Sequence, residues 1–209
     1  MLRPGGILRV VVPDLENVAR EYLRLLDECV ETPSSRAYEN YEWILLEMFD
    51  QSIRYKAGGD MLEFLCRDDL VDESYVSQRV GHAARSVREG VYRKRSGKSP
   101  SSLVSTLSEA MKKHGARRVL SHAAKRMFSL FSTRASRVGK FRLGGEVHFS
   151  VYDRFSLERI LCEAGFYEIE LMSPHRSSIP EWSRFELDVK DSQIFEPNSL
   201  FVEARKPIL

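Results

Sequence analysis

The chain has 209 residues, 43% of them hydrophobic and 30% charged, an ordinary globular balance with enough apolar material for a core. No stretch is long and apolar enough to span a bilayer, and the N-terminus lacks the basic-then-apolar pattern of a secretory leader, so the expected location is the cytoplasm. The net charge of +2 conceals a block: from Arg79 to Arg142 there are seventeen Lys or Arg against two acids, Glu89 and Glu109, which leaves the rest of the chain strongly acidic.

In chain order, Pro4, Gly5 and Gly6 make a tight turn, and Ile7 to Val12 follow as an apolar run rich in β-branched residues. Such a run reads as a strand buried on both faces, in the middle of a parallel α/β sheet. Pro13 cannot continue a ladder, and Asp14 is placed to cap the next helix. That helix carries its apolar stripe on Leu15, Val18, Ala19, Tyr22, Leu25, Leu26 and Cys29 and ends at Thr32 to Ser35. A second helix is expected from about Ala37 to Arg54, broken at Gly58 and Gly59, with a shorter one around Met61 to Cys66 and a longer one from Asp69 to about Glu89. Tyr92 to Ser102 reads as an exposed basic linker, and Leu103 to Lys113 and Ala116 to Phe131 as basic amphipathic helices.

After Leu143 to Phe149, a helix is expected from Asp153 or Ser156, closed by Gly165 in the left-handed position. Tyr167, Ile169 and Leu171 alternate with acids as a strand does, His175 to Asn198 reads as a loop, and Leu200 to Ala204 as the last strand. Cys29, Cys66 and Cys162 lie among apolar helical positions without a CxxC pair, and are expected to be buried thiols. Asp188, Asp191 and Glu196 lack a tight oxygen-ligand pattern and are expected to be solvated loop charges; no metal is expected.

The LRPGG turn with its strand ending in PDL, the segment YDRFSLERILCEAGF from Tyr152 to Phe166, and SLFVEARKP from Ser199 to Pro207 occur in the order of the fifth strand, the helix before the sixth strand, and the seventh strand of class I S-adenosylmethionine-dependent methyltransferases. The chain resembles the C-terminal half of that family. The resemblance covers residues 1–31 and 145–207 and implies an α/β fold: strands five to seven of a Rossmann-like sheet (1–31 and 145–209) interrupted by a large, mainly helical and basic insertion (32–144). The family's first four strands have no counterpart. It implies S-adenosylmethionine as cofactor, yet the glycine-rich turn that holds it in the family is missing, since no two of the twelve glycines stand as G-x-G. On this reading the protein is an N-terminally incomplete methyltransferase, no residue is named as a cofactor ligand, and the opening strand has one unpaired edge that invites a second copy of the chain.

LLEMFDQSIR and EVHFSVYDRFSL further resemble predicted methyltransferases linked with sugar and polysaccharide synthesis, which implies a saccharide or other small hydroxyl acceptor. A hydroxyl acceptor needs a base, and His148, with an ordinary pKa near neutrality, is the first candidate; Asp50 and Glu47 are the others. Gln51, Arg54 and Tyr152 are the expected substrate contacts. The structural alternative is a hydrogen-bonded His148, with Asp50 and Glu47 in exposed ion pairs with Arg54 and its neighbours. A different function remains open beside methyl transfer: a non-catalytic module that engages an anionic partner or the inner face of a membrane through its basic helices. Nucleic acid is disfavoured, because few aromatics interleave with the charges.

Overall fold

The computed structural model describes residues 2–95 and 133–208; the basic stretches Leu103 to Lys113 and Ala116 to Phe131, and most of the expected linker, lie outside the described residues. The fold is mixed helix and sheet. A three-stranded sheet is built from β1 (Ile7–Pro13), β2 (Tyr167–Met172) and β5 (Ser199–Arg205), and a small hairpin from β3 (Val189–Lys190) and β4 (Gln193–Ile194). The sheet order is β1-β5-β2, with β5 antiparallel to both neighbours, from Ile7 opposite Arg205 to Pro13 opposite Ser199. The strand expected in the middle of a parallel sheet therefore stands at an edge and is paired antiparallel. Centrality passes to β5, whose Leu200 to Ala204 are all buried, whereas no residue of β1 is. Among the described residues, the outer edge of β1 meets the chain again at one point, a parallel bridge between Asp14 and Tyr152 where the Leu15 amide donates to the Tyr152 carbonyl at 2.9 Å.

One face of the sheet is apolar. Leu8, Val10 and Val12 of β1 and Leu200, Val202 and Ala204 of β5 pack with Leu157 and Leu161 of the covering helix α7 (Arg154–Glu163). Asp153 caps α7 in a reciprocal box with Ser156, at the start the sequence reads for this helix, and Gly165 closes the turn beyond it at φ +85° as expected. The opposite face carries a buried ionic knot. Arg9 donates to Asp188 at 2.8 Å and to Glu203 at 2.7 Å, reaches the carbonyls of Ser173 and Arg176, and lies 5.1 Å from the Trp182 ring. Asp188, expected to be a solvated loop charge, is thus 8% exposed and part of the core. The 175–198 segment is organised around it, with a 3₁₀ turn at Trp182–Phe185, the β3-β4 hairpin, and the Trp182 indole donating to Asp188 at 2.7 Å.

The other helices pack mainly on one another. α1 (Leu15–Glu31), capped by Asp14 through the amides of Glu16 and Asn17, buries Val18 and Leu25 against Ile44 of α2 (Ser35–Ile53). α3 (Gly59–Leu65), α4 (Glu73–Val80) and α5 (His82–Arg95) close a cluster of Trp43, Phe64, Leu65, Val76 and Ala84. The single helix expected from Asp69 to Glu89 is two, because Gly81 turns the chain at φ +73° where a Cβ would lie 2.5 Å from the Phe195 carbonyl oxygen and 2.6 Å from Pro197. A short α6 (Arg134–Arg142) leads back to the sheet. Cys66 and Cys162 are exposed and Cys29 half-buried, against the expectation of buried thiols: Cys66 sits past the last turn of α3, and Cys162 on a side of α7 turned from its core contacts Leu157 and Leu161.

Candidate functional site at the carboxyl end of β1

Ligands of open α/β sheets gather outside the carboxyl ends of strands, where loops diverge. At the carboxyl end of β1 the chain leaves the ladder at Pro13, and the segment before α7 converges on it only at Tyr152. The space between them is a cavity of about 300 Å³ lined by Val12, Pro13, His148, Ser150, Val151 and Tyr152. His148 is half-buried here; burial first, and then the nearby Arg54 charge, hold its imidazole below the ordinary 6.5. An imidazole so placed is neutral at pH 7 and able to accept a proton. Ser150 offers a second polar group, and Val12, Pro13 and Val151 supply apolar walls. The arrangement sets two polar groups, His148 and Ser150, against apolar walls.

The other expected site residues divide. Asp50, Gln51 and Arg54 stand on the last turn of α2 beside His148, whose amide donates to the Gln51 carbonyl at 3.0 Å. Gln51 is thus present through its backbone. Asp50 is 3% exposed, meets Arg54 at 2.6 Å and accepts the Asp60 amide at 2.8 Å, so its carboxylate is committed to joining α2 and α3. Glu47, one turn earlier, accepts from the Trp43 indole at 3.1 Å and from Arg79 Nε at 3.0 Å, and Arg79 also reaches Asn17 at 2.7 Å. Neither carboxylate lines the cavity. Asp50 forms the Arg54 pair of the structural alternative, shielded under Gly59 rather than exposed, whereas Glu47 pairs with Arg79 of α4 instead of Arg54 or its neighbours.

A residue the sequence reading did not single out completes the neighbourhood. Glu146 accepts the Gly58 amide at 2.7 Å and Arg54 at 3.4 Å. Its signal was its place two residues before His148, the spacing that sets both on one side of an extended chain. Among the described residues no three His, Cys, Asp or Glu are grouped to hold a metal, and no helix is long and apolar enough to cross a membrane. A larger cavity of about 460 Å³ in the 174–192 loop lies over Asp188 and Trp182, whose polar atoms are taken up by the Arg9 knot.

The cofactor implied by the resemblance finds no cradle among the described residues. β1 ends in Pro13 and is followed by Asp14 and Leu15 rather than glycines, and Asp14 spends its carboxylate on the amides of α1; β2 is followed by Ser173 and Pro174, and β5 by Lys206. These residues do not fit S-adenosylmethionine. Compared with protein-family models, with curated proteins and with solved structures, the chain matches none.

Proposed function

We propose that this chain supplies the methyl-acceptor side of an S-adenosylmethionine-dependent methyltransferase and takes a hydroxyl-bearing acceptor, of the saccharide class, at the carboxyl end of β1. The observation that carries the reading is the cavity there, lined by His148 and Tyr152 of the segment that resembles the family. What supports it in the sheet is that β1, β2 and β5, the strands in and after the segments that resemble the family's fifth, sixth and seventh, lie in one sheet. In this role His148 accepts the proton of the acceptor hydroxyl, and the apolar walls hold the ring while excluding water. The methyl donor is held by groups other than the described residues.

The second reading, a non-catalytic module for an anionic partner, draws on the same missing cradle and on the basic block. One experiment separates the two. The full chain, with isotopically labelled histidine and tyrosine, is titrated with methyl glycosides of the common hexoses and 6-deoxyhexoses and, separately, with anionic and neutral lipid vesicles, while the His148 and Tyr152 ring resonances are followed. Saturable movement of both rings with a glycoside is expected. Glycosides that leave both rings unmoved, with line broadening by anionic vesicles alone, overturn the acceptor-site reading in favour of the module.

A further inference from the structure

Three contacts tie the 146–148 segment to the end of α2 and the start of α3. A helix leaves its last carbonyls without intrahelical partners. In α2 the Asp50 carbonyl takes the Arg54 amide at 2.9 Å, and the Gln51 carbonyl takes the His148 amide at 3.0 Å. His148 is therefore anchored through its backbone to the terminus of a helix. Glu146 adds the second and third ties, to the Gly58 amide and to Arg54, and Val147 between them is buried. Arg54 is the hinge of this arrangement. Its guanidinium is caught between Asp50 and Glu146, also touches the Met61 sulfur at 3.6 Å, and its Nε is enclosed without a partner among the described residues.

We propose that Arg54 and Glu146 are positioning residues for His148, a single clasp between the end of α2 and the 146–148 segment that fixes the imidazole at the mouth of the cavity. The inference rests on the reading of His148 as the proton acceptor. A fixed cation beside an imidazole disfavours its protonated form, so the clasp also keeps the ring available as a base near neutral pH. The charge that acts on the ring is Arg54, itself paired with Asp50 of α2 and with Glu146 of the His148 segment; Arg142 of α6 reaches the Ser52 carbonyl at 3.4 Å, and the facing residues of β1, Val12 and Pro13, carry no charge. Arg54 thus acts through His148, since it is not among the residues that line the cavity.

The test is a nuclear magnetic resonance titration of the His148 ring in the full chain, which needs no acceptor, so its failure is distinguishable from failure of the glycoside experiment. The wild-type midpoint is expected below 6.5. Arg54→Lys keeps it there, and Arg54→Gln moves it up toward the ordinary value. A merely structural arginine would give the same midpoint in folded Gln and Lys variants, and that result overturns the proposal. Should Arg54→Gln fail to fold, because Asp50 is left buried and unpaired, the Asp50→Asn/Arg54→Gln double variant is compared with Asp50→Asn alone and is expected to titrate higher; equal midpoints overturn the proposal. Glu146→Ala, at a side chain 40% exposed, is expected to speed hydrogen exchange of the His148 amide by about tenfold, the loss of one charge-assisted tie. An unchanged exchange rate there removes Glu146 from the clasp and overturns the inference as stated.

Discussion

The junction between α2 and α3 offers a sharp test, because Gly59 and Asp50 occupy nearly the same space. Gly59 has φ +57°, and a Cβ built on it would stand 2.2 Å and 2.4 Å from the two carboxylate oxygens of Asp50. Gly59→Ala therefore meets two costs. A left-handed conformation costs an L-residue about 1–2 kcal/mol. The displaced carboxylate must also give up its 2.6 Å pairing with Arg54 and the 2.8 Å bond from the Asp60 amide, in a place only 3% exposed. Removing one partner of a buried pair costs about 3–5 kcal/mol, and displacement costs part of that, so the sum is about 3–6 kcal/mol. Gly145 is the control: its φ is +90°, but a Cβ there has nothing within 4 Å, and Gly145→Ala bears the backbone cost of about 1–2 kcal/mol alone. Urea unfolding followed by circular dichroism should place the Gly59→Ala midpoint about 1 M below that of Gly145→Ala, at similar slope. Midpoints that coincide would refute the claim that Asp50 is locked under Gly59, and with it the rigidity assigned to the end of α2.

Removing Arg9 leaves Asp188 and Glu203, 8% and 2% exposed, without their shared cation, so Arg9→Met should cost about 3–5 kcal/mol in the same assay. Arg24→Ala, which breaks two pairs on the surface of α1 from a side chain 53% exposed, should cost less than about 1 kcal/mol, and similar losses for the two would contradict the buried knot. The pH dependence has two parts. Burial pushes the Glu203 carboxyl up, but the Ser177 hydroxyl, the Ser178 amide and Arg9 outweigh it and hold the group below 4.5, so its stabilisation is present above that value and is lost as pH falls through the lower folded one. His148 is held below 6.5 by burial and Arg54, so the unfolded chain takes up its proton first and stability declines as pH drops from 6.5 toward the folded value, with no slope from this group above it. Unfolding midpoints measured between about pH 8 and pH 4 should show that His148→Gln flattens the upper part of the decline and leaves the lower part; an unaltered profile would contradict the lowered imidazole.

What the sequence disclosed was local. The run Ile7 to Val12, the Asp14 cap, the start of a helix near Asp153 and the Gly165 closure each depend on residues within one turn of each other, and each is present. The position of β1 was not disclosed, because apolarity states how much a strand would bury and not which neighbour it finds; β5, 186 residues further on from Pro13 to Ser199, takes one side. Arg9 was the available sign of the ionic knot, since a cation inside an apolar strand requires buried acids, but its partners lie 179 and 194 residues away. The break at Gly81 likewise depends on Phe195 and Pro197, and a helical period cannot report such an approach. At the site, the spacing of Asp50, Gln51 and Arg54 was legible as one helical face, and His148 as a titratable group in a loop. That a backbone bond joins the two was not.

The most direct measurement of the acceptor site is carbethoxylation of histidines in the full chain, resolved by peptide mass spectrometry, with and without saturating methyl glycosides. His148 lines the cavity and His175 stands exposed in the 174–192 loop, so the two report inside and outside the site in one experiment. His148 is expected to react as an unprotonated imidazole at pH 7, and at least one glycoside to slow it while His175 reacts at its former rate. A His148 rate that no glycoside alters would contradict the placement of a hydroxyl acceptor at the carboxyl end of β1.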